Sequence, residues 1–207
     1  MSLQQKLADG IAVLGLDIGA ATQQRLLDYL ALIQKWNKVH NLTAVRDLEA
    51  MVTLHLLDSL SVLPHIKTGR LLDVGSGAGL PGIVLALARP DLSVTTLDSV
   101  GKKASFMRQA KAELGIANLE VVSGRVEEFK PAYKFDMIIS RAFSEIANFL
   151  ELTQHLLADN GEWLAMKGVY PDEEMVNLKG VTTRVVELNV PGLDARRHLV
   201  FLRAAKQ

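Results

Sequence analysis

The sequence predicts an α/β fold in which a mostly parallel sheet is flanked by helices, closed by an antiparallel hairpin, and preceded by a helical extension. Three observations carry this expectation. From Arg70 onward, short apolar runs alternate with amphipathic segments, the pattern of strand–helix–strand units that build a parallel sheet. The last two runs are separated only by a short turn holding Pro191 and Gly192, too little chain for a crossover, so they must pair antiparallel. The first third of the chain, by contrast, carries helical spacing alone.

The elements follow in order. Residues 3–14 read as an amphipathic helix. Thr22 is the expected N-cap of a second helix, in which Leu26, Leu27, Leu30 and Ile33 recur at helical spacing to about Val39. Asp47 is the expected cap of a third, with Met51, Leu54, Leu57 and Leu60 on one face and Pro64 beyond its end. Helices with one apolar stripe cannot bury it alone, so residues 1–66 are expected to form a helical cap packed on a domain spanning 67–207. Seven strands are expected there: Arg70–Val74, Ser93–Leu97, Leu119–Val122, Phe135–Ser140, Glu162–Met166, Thr183–Leu188 and His198–Arg203. Helices fill the gaps through 149–157, with Pro81 at one helix start and Gly115 just past one helix end.

Composition narrows the chemistry. Among 207 residues, 23 Lys and Arg balance 23 Asp and Glu, so any nucleic-acid partner must be met by local clusters, not by a global field. Cys 0 removes disulfides, thiolate metal sites and every mechanism with a cysteine nucleophile. It also suits a reducing compartment. The longest uncharged stretch, Val74 to Ala88, falls short of the roughly 20 apolar residues of a membrane span. A cytoplasmic protein with no membrane partner is expected, and a monomer, since no heptad pattern appears.

The sharpest local signal is the run Asp73-Val74-Gly75-Ser76-Gly77-Ala78-Gly79-Leu80-Pro81-Gly82 between the first strand and its helix. Glycines let a backbone turn tightly under a ligand, and the helix start offers unpaired N–H groups. No Gly-Lys-Ser/Thr follows, which excludes a Walker A loop. Leu80 stands where the dinucleotide fingerprint needs its third glycine. The acid-x-G-x-G-x-G spacing instead resembles the first motif of the class I S-adenosylmethionine-dependent methyltransferases, with their Rossmann-like fold. Asp98 ends the second strand about 20 residues past the loop, where such enzymes place an acid for ribose hydroxyls.

Longer words extend the resemblance. WNKVHNLTAVRD (36–47), HLLDS (55–59), DVGSGAGLPG (73–82), LDSVGKKASF (97–106), RVEEF (125–129), ISRAF (139–143), MKG (166–168) and RHLV (197–200) occur in order. Together they are similar to the bacterial 16S rRNA (guanine-N7)-methyltransferase family, long called glucose-inhibited division protein B, across nearly the whole chain. The resemblance implies S-adenosylmethionine as cofactor, a methyltransferase domain over 67–207, and a guanine in small-subunit rRNA as acceptor, free or within a ribosomal particle. It implies cofactor contacts at Gly75, Gly77, Gly79, Leu80 and Asp98, an adenine-facing pair in Val126 and Glu127, and a role for Arg141 where cofactor and substrate pockets meet.

The residue types agree with that chemistry. Guanine N7 has a free lone pair and no proton, so in-line methyl transfer to it requires no general base; proximity and electrostatics remain the protein's task. Arg141 can position the acceptor by donating to guanine O6 or to a phosphate. Phe143 reads first as a core aromatic, with stacking on a base as the alternative. Candidate RNA contacts are Lys35, Lys38 and Arg46 around the second helix, Lys102 and Lys103 on a later helix, and Arg196 and Arg197 near the last strand. His55 and Asp58, at i and i+3, read as a structural polar contact, and no metal is called for. A small-molecule methyltransferase and a non-catalytic RNA-binding protein are the alternatives.

Overall fold

A computed structural model describes residues 1–206. Two helices open the chain, Leu3–Val13 (α1) and Ala20–His40 (α2). A continuous helical stretch over 48–60 follows, in which Leu48–Met51 (α3) and Asp58–Leu60 (α4) flank a π-helical segment, Val52–Leu57. Then come Arg70–Val74 (β1), Gly82–Ala88 (α5), Ser93–Asp98 (β2), Gly101–Leu114 (α6), Leu119–Ser123 (β3) and Phe135–Ser140 (β4). Ile146–Thr153 (α7), Leu157–Lys167 (β5), Asp172–Val176 (α8), Val181–Leu188 (β6) and Arg197–Ala204 (β7) complete it.

The strands form one sheet in the order β3-β2-β1-β4-β5-β7-β6. The first five run parallel, and β7 is antiparallel to both neighbours. Every expected strand is present, and five extend beyond the expected bounds. The largest extension is β5, which begins at Leu157, where the sequence predicts the end of a helix; that helix stops at Thr153 and a 3-10 turn, Gln154–Leu156, carries the chain into the strand. The short helix α8 carries no sequence signal strong enough to predict it.

Alternation along β1 shows how the sheet sits between two cores. Leu71 joins the cluster shared with the N-terminal helices, α5 and α6, whereas Leu72 and Val74 join the cluster under α7. The N-terminal helices therefore do not sit on an independent core: Leu7, Leu26, Leu30 and Ile33 belong to the same apolar cluster as Ile83 and Phe106. No helix of the described residues is long and apolar enough to cross a membrane.

Two local expectations are corrected. Helix α2 starts before Thr22: Gly19 is the N-cap residue, and the Gln23 side chain donates from Nε2 back to the Ile18 carbonyl. The segment 48–60 does take its cap from Asp47, whose carboxylate accepts the Ala50 N–H at 3.0 Å. It is not a surface helix with one apolar face, however. Residues 51–63 are buried throughout except Leu54, one of the four that a simple stripe would bury. The π-helical turn breaks the 3.6-residue period, and Thr53, His55, Asp58 and Ser59 are taken inside with their apolar neighbours.

Candidate functional site

The parallel strands all end on one edge of the sheet, the edge where α/β folds bind ligands. The glycine loop leaves β1 there. Gly75, Gly77 and Gly79 all have positive φ, at 70°, 60° and 103°, a backbone that L side chains adopt only with strain. The loop is fixed from three sides. The Gly75 and Ser76 amides donate to the Leu97 carbonyl, the Gly77 N–H donates to Asp98 Oδ2 at 2.8 Å, and the Tyr29 hydroxyl donates to the Ala78 carbonyl at 2.6 Å. Tyr29 comes from α2, so the helical extension helps to hold the loop. Burial pushes the Tyr29 phenol well above its ordinary range, with the nearby Arg141 charge opposing.

Asp73 works beneath the loop. It is fully buried, and its Oδ2 accepts the Gly82 N–H at 2.8 Å. A Cβ at Gly82 would stand 2.8 Å from that same oxygen, so the bond needs glycine there. Asp73 Oδ1 has no partner among the described residues. Desolvation by burial raises the Asp73 pKa to about 8, partly offset by the Gly82 bond.

Beyond the loop lies a cavity of about 530 Å³, within the usual size of small-ligand sites. Gly75, Asp98, Ser99, Val126, Glu127 and Phe143 are among its walls. Asp98 is 7% exposed and faces the cavity while holding the Gly77 and Val100 amides. Glu127 is exposed and paired with Arg125 at 3.1 Å, which holds its carboxyl below the usual range. Phe143 stacks on Phe149, with ring centroids 5.2 Å apart, which fixes the cavity wall.

Sequence and structural comparisons bear on what such a site serves. The family model described as rRNA small subunit methyltransferase G matches residues 22–200. A protein of Methylobacillus flagellatus named ribosomal RNA small subunit methyltransferase G is 68% identical over 202 residues, covering 98% of each chain. The chain belongs to the rRNA small subunit methyltransferase G family. A relative of the same name from Laribacter hongkongensis is 54% identical, over 98% of this chain and 99% of that one. Among solved structures, a putative S-adenosylmethionine-dependent methyltransferase of Methanococcus maripaludis superposes with a TM-score of 0.58 at 15% identity, over 87% of this chain and 94% of that one. DhpI, solved with S-adenosylhomocysteine, gives 0.57 at 14% identity, over 90% and 98%. At such identities the likeness is one of fold: the class I methyltransferase sheet.

The fold of this rRNA small subunit methyltransferase G family member brings four of the eight predicted cofactor residues to the walls of one cavity and sets others apart. Gly75, Asp98, Val126 and Glu127 share the cavity. The Leu80 side chain does not reach it, being 2% exposed in the core under the loop; only its backbone belongs to the turn, donating to the Ser76 carbonyl. Arg141, predicted to touch the cofactor, is not among the walls of this cavity and lines a second hollow with Asp58 and Arg197. Its Nη1 is 3.3 Å from Asp58 Oδ2, and Arg197 Nε is 3.2 Å from Asp58 Oδ1. Burial raises the Asp58 pKa while the two guanidinium groups counter it. Among the described residues His55 makes no hydrogen bond to Asp58; its Nε2 lies 3.0 Å from Thr43 Oγ1, and burial lowers its pKa to about 4.

The basic clusters sort differently. Helices α2 and α6 run antiparallel: Arg25 reaches the Leu114 and Gly115 carbonyls at one end, and Trp36 meets Phe106 edge-on at 5.6 Å toward the other. The end of α2 with exposed Lys35 and Lys38 thus flanks the start of α6 with Lys102 and half-buried Lys103. Arg46 is spent internally, donating to the Asn37 carbonyl at 2.8 Å and to Asn41 Oδ1 at 2.6 Å. It tethers Asn41, the left-handed residue that ends α2. Arg196 is exposed beside Arg197.

Sequence reasoning did not assign Lys167 or the Asp58 pairing. Lys167 Nζ donates to the Phe143 and Ser144 carbonyls at 3.2 and 2.8 Å and lies 3.1 Å from Glu174 Oε1. It therefore ties the loop after β4 to β5. One available signal was a lone acid inside the apolar run HLLDSL, because a buried carboxylate requires cationic partners.

Proposed function

We propose that this chain transfers a methyl group from S-adenosylmethionine to N7 of a guanine in 16S rRNA. The observation that carries the reading is the 68% identity, over 98% of both chains, to a protein named for that rRNA methyltransferase class. The geometry supports it. When bound, S-adenosylmethionine supplies an electrophilic methyl on a sulfonium. The residues present suit such a guest: Asp98 is an acceptor at the β2 end for ribose hydroxyls, the Val126 and Glu127 segment bounds the cavity for the adenine, and the glycine loop leaves room. A Cβ on Gly77 would meet nothing within 4 Å, so this part of the loop borders open space.

The chain's own part in the reaction is alignment. N7 carries no proton, so no side chain need remove one, and Arg141, Phe143 and Lys167 serve to shape and orient the acceptor pocket. The reading includes a cytoplasmic protein acting as a monomer, with rRNA presented either bare or within a small-subunit particle. Lys35, Lys38, Lys102, Lys103 and Arg196 supply outlying contacts to the phosphate backbone.

The test is to incubate the chain with S-adenosylmethionine and 16S rRNA lacking its methyl groups, both bare and in small-subunit particles, and to map the modified nucleotide. A single N7-methylguanine is expected. Methyl transfer to small acceptors only, or no S-adenosylmethionine binding by calorimetry, overturns the reading.

A further inference from the structure

A second hollow, of about 220 Å³, is bounded by Asp58, Arg141, Met166, Lys167, Gly168 and Arg197. Its donors are unequally committed. Lys167 has its three ammonium donors directed at the Phe143 and Ser144 carbonyls and at Glu174. The arginines are different. Arg141 uses Nη1 on Asp58 and on the Leu54 carbonyl. Arg197 uses Nε on Asp58 and Nη1 on the Arg196 carbonyl. Among the described residues nothing accepts from Arg141 Nε or Nη2, nor from Arg197 Nη2. Both side chains are about one-third exposed, at 31% and 30%, whereas Asp58 is 5% exposed behind them.

We propose that this hollow is a subsite for one backbone phosphate of the acceptor RNA, held between Arg141 and Arg197, with Asp58 as the positioning residue that sets the two guanidiniums. The inference rests on the rRNA reading and deepens it. Three cations, Arg141, Lys167 and Arg197, meet two carboxylates, Asp58 and Glu174, leaving one positive charge that a phosphodiester monoanion neutralises. Two planar guanidinium forks with free donors match an anion with several oxygens better than a single base carbonyl. Asp58 reaches the hollow from the helical stretch 48–60, Arg141 from the end of β4, and Arg197 from the start of β7. One buried carboxylate thereby fixes the relative placement of side chains from three separate parts of the chain. Holding each guanidinium in advance lowers the ordering cost of gripping the phosphate.

The experiment uses the full chain and two probes, 5′-GMP and guanosine, titrated by calorimetry. The wild type is expected to bind GMP about tenfold or more tightly than guanosine, the scale of charge-assisted hydrogen bonds. Arg197→Gln is expected to abolish that preference. Asp58→Asn separates positioning from bulk electrostatics. Deleting a negative charge beside two arginines would by charge alone strengthen phosphate binding; loss of positioning weakens it. Asp58→Asn is expected to bind GMP more weakly than wild type and to show a shallower salt dependence on single-stranded RNA, by about 0.7 in the log–log slope for one lost phosphate contact. Equal affinity for GMP and guanosine in the wild type, or unchanged or tighter GMP binding by folded Asp58→Asn, overturns the proposal. If Asp58→Asn does not fold, the probe pair and Arg197→Gln decide. GMP preference in a chain that leaves rRNA unmethylated overturns the methylation reading alone; equal probe affinities with methylation intact overturn the subsite alone.

Discussion

Replacing Gly75 with alanine tests whether the cofactor loop and the acceptor loop are mechanically one object. Gly75 has φ +70°, and a Cβ there would lie 2.7 Å from the Ala142 Cβ, inside the 3.4 Å at which ordinary contact begins. The left-handed backbone costs a non-glycine residue about 1–2 kcal/mol, and the overlap adds about 1–3 kcal/mol of overpacking. A total loss of about 2–5 kcal/mol is large against a typical stability of about 5–15 kcal/mol. The added methyl pushes on Ala142 and so on the segment carrying Arg141 and Phe143. Gly75→Ala should therefore lose both stability, by urea unfolding, and cofactor affinity, by calorimetry. Adding Ala142→Gly removes the overlap but not the backbone strain, so the double variant should regain the overpacking share and the lost affinity. Gly77→Ala is the control: φ is +60° with nothing within 4 Å, so only the backbone share is lost. The coupling is refuted if Gly75→Ala unfolds as wild type does, or if Ala142→Gly restores nothing.

Three further outcomes are expected. Asp73, raised to about 8 by burial, is protonated when folded and ionised when unfolded from its ordinary pKa near 4 up to 8; stability therefore falls as pH rises through that window, by about 1.4 kcal/mol per unit, and Asp73→Asn should flatten the decline between pH 6.5 and 8 in urea midpoints. His55, lowered to about 4, acts in the opposite sense: below pH 6.5 the unfolded chain takes a proton that the folded chain refuses, so stability falls on acidification toward 4. The two slopes oppose each other in that range, so His55→Gln should expose the Asp73 slope and Asp73→Asn the His55 slope; parallel profiles for all three proteins would remove both assignments. Tyr29→Phe deletes the 2.6 Å bond to the Ala78 carbonyl and should cost about 1–3 kcal/mol as a buried acceptor is left unpaired, with weaker cofactor binding measured in the same titration.

The strands were legible because each is a short apolar run bounded by Gly, Pro or charge, and because buried parallel strands tolerate little else. The glycine loop and Asp98 were legible for a related reason: backbone that turns with positive φ beneath a ligand demands glycine at set spacing, whatever the rest of the chain does. Leu80 shows the limit of such matching. Its position in the motif places it beside the loop, but its side chain points into the core, and sequence spacing carries no direction at the end of an irregular turn. The stretch 48–60 shows another limit. Its leucines suggest one buried face, while the π-helical segment and a central location bury polar and apolar residues alike.

What the sequence alone determined was local: strand and helix order, the glycine turn, the acid after β2, the absence of a thiolate, and through its longer words the methyltransferase family. These are properties of neighbouring residues, set by backbone sterics and side-chain periodicity. Only the tertiary structure decided which distant charges share a site. Arg46 ends as a strut for Asn41, Lys167 as a tie across the loop after β4, and Arg141 and Arg197 meet on Asp58, 83 and 139 residues away in the chain. A charge in a sequence has a sign but no partner. Burial supplies the partner, because a carboxylate taken out of water must find cations wherever the fold brings them.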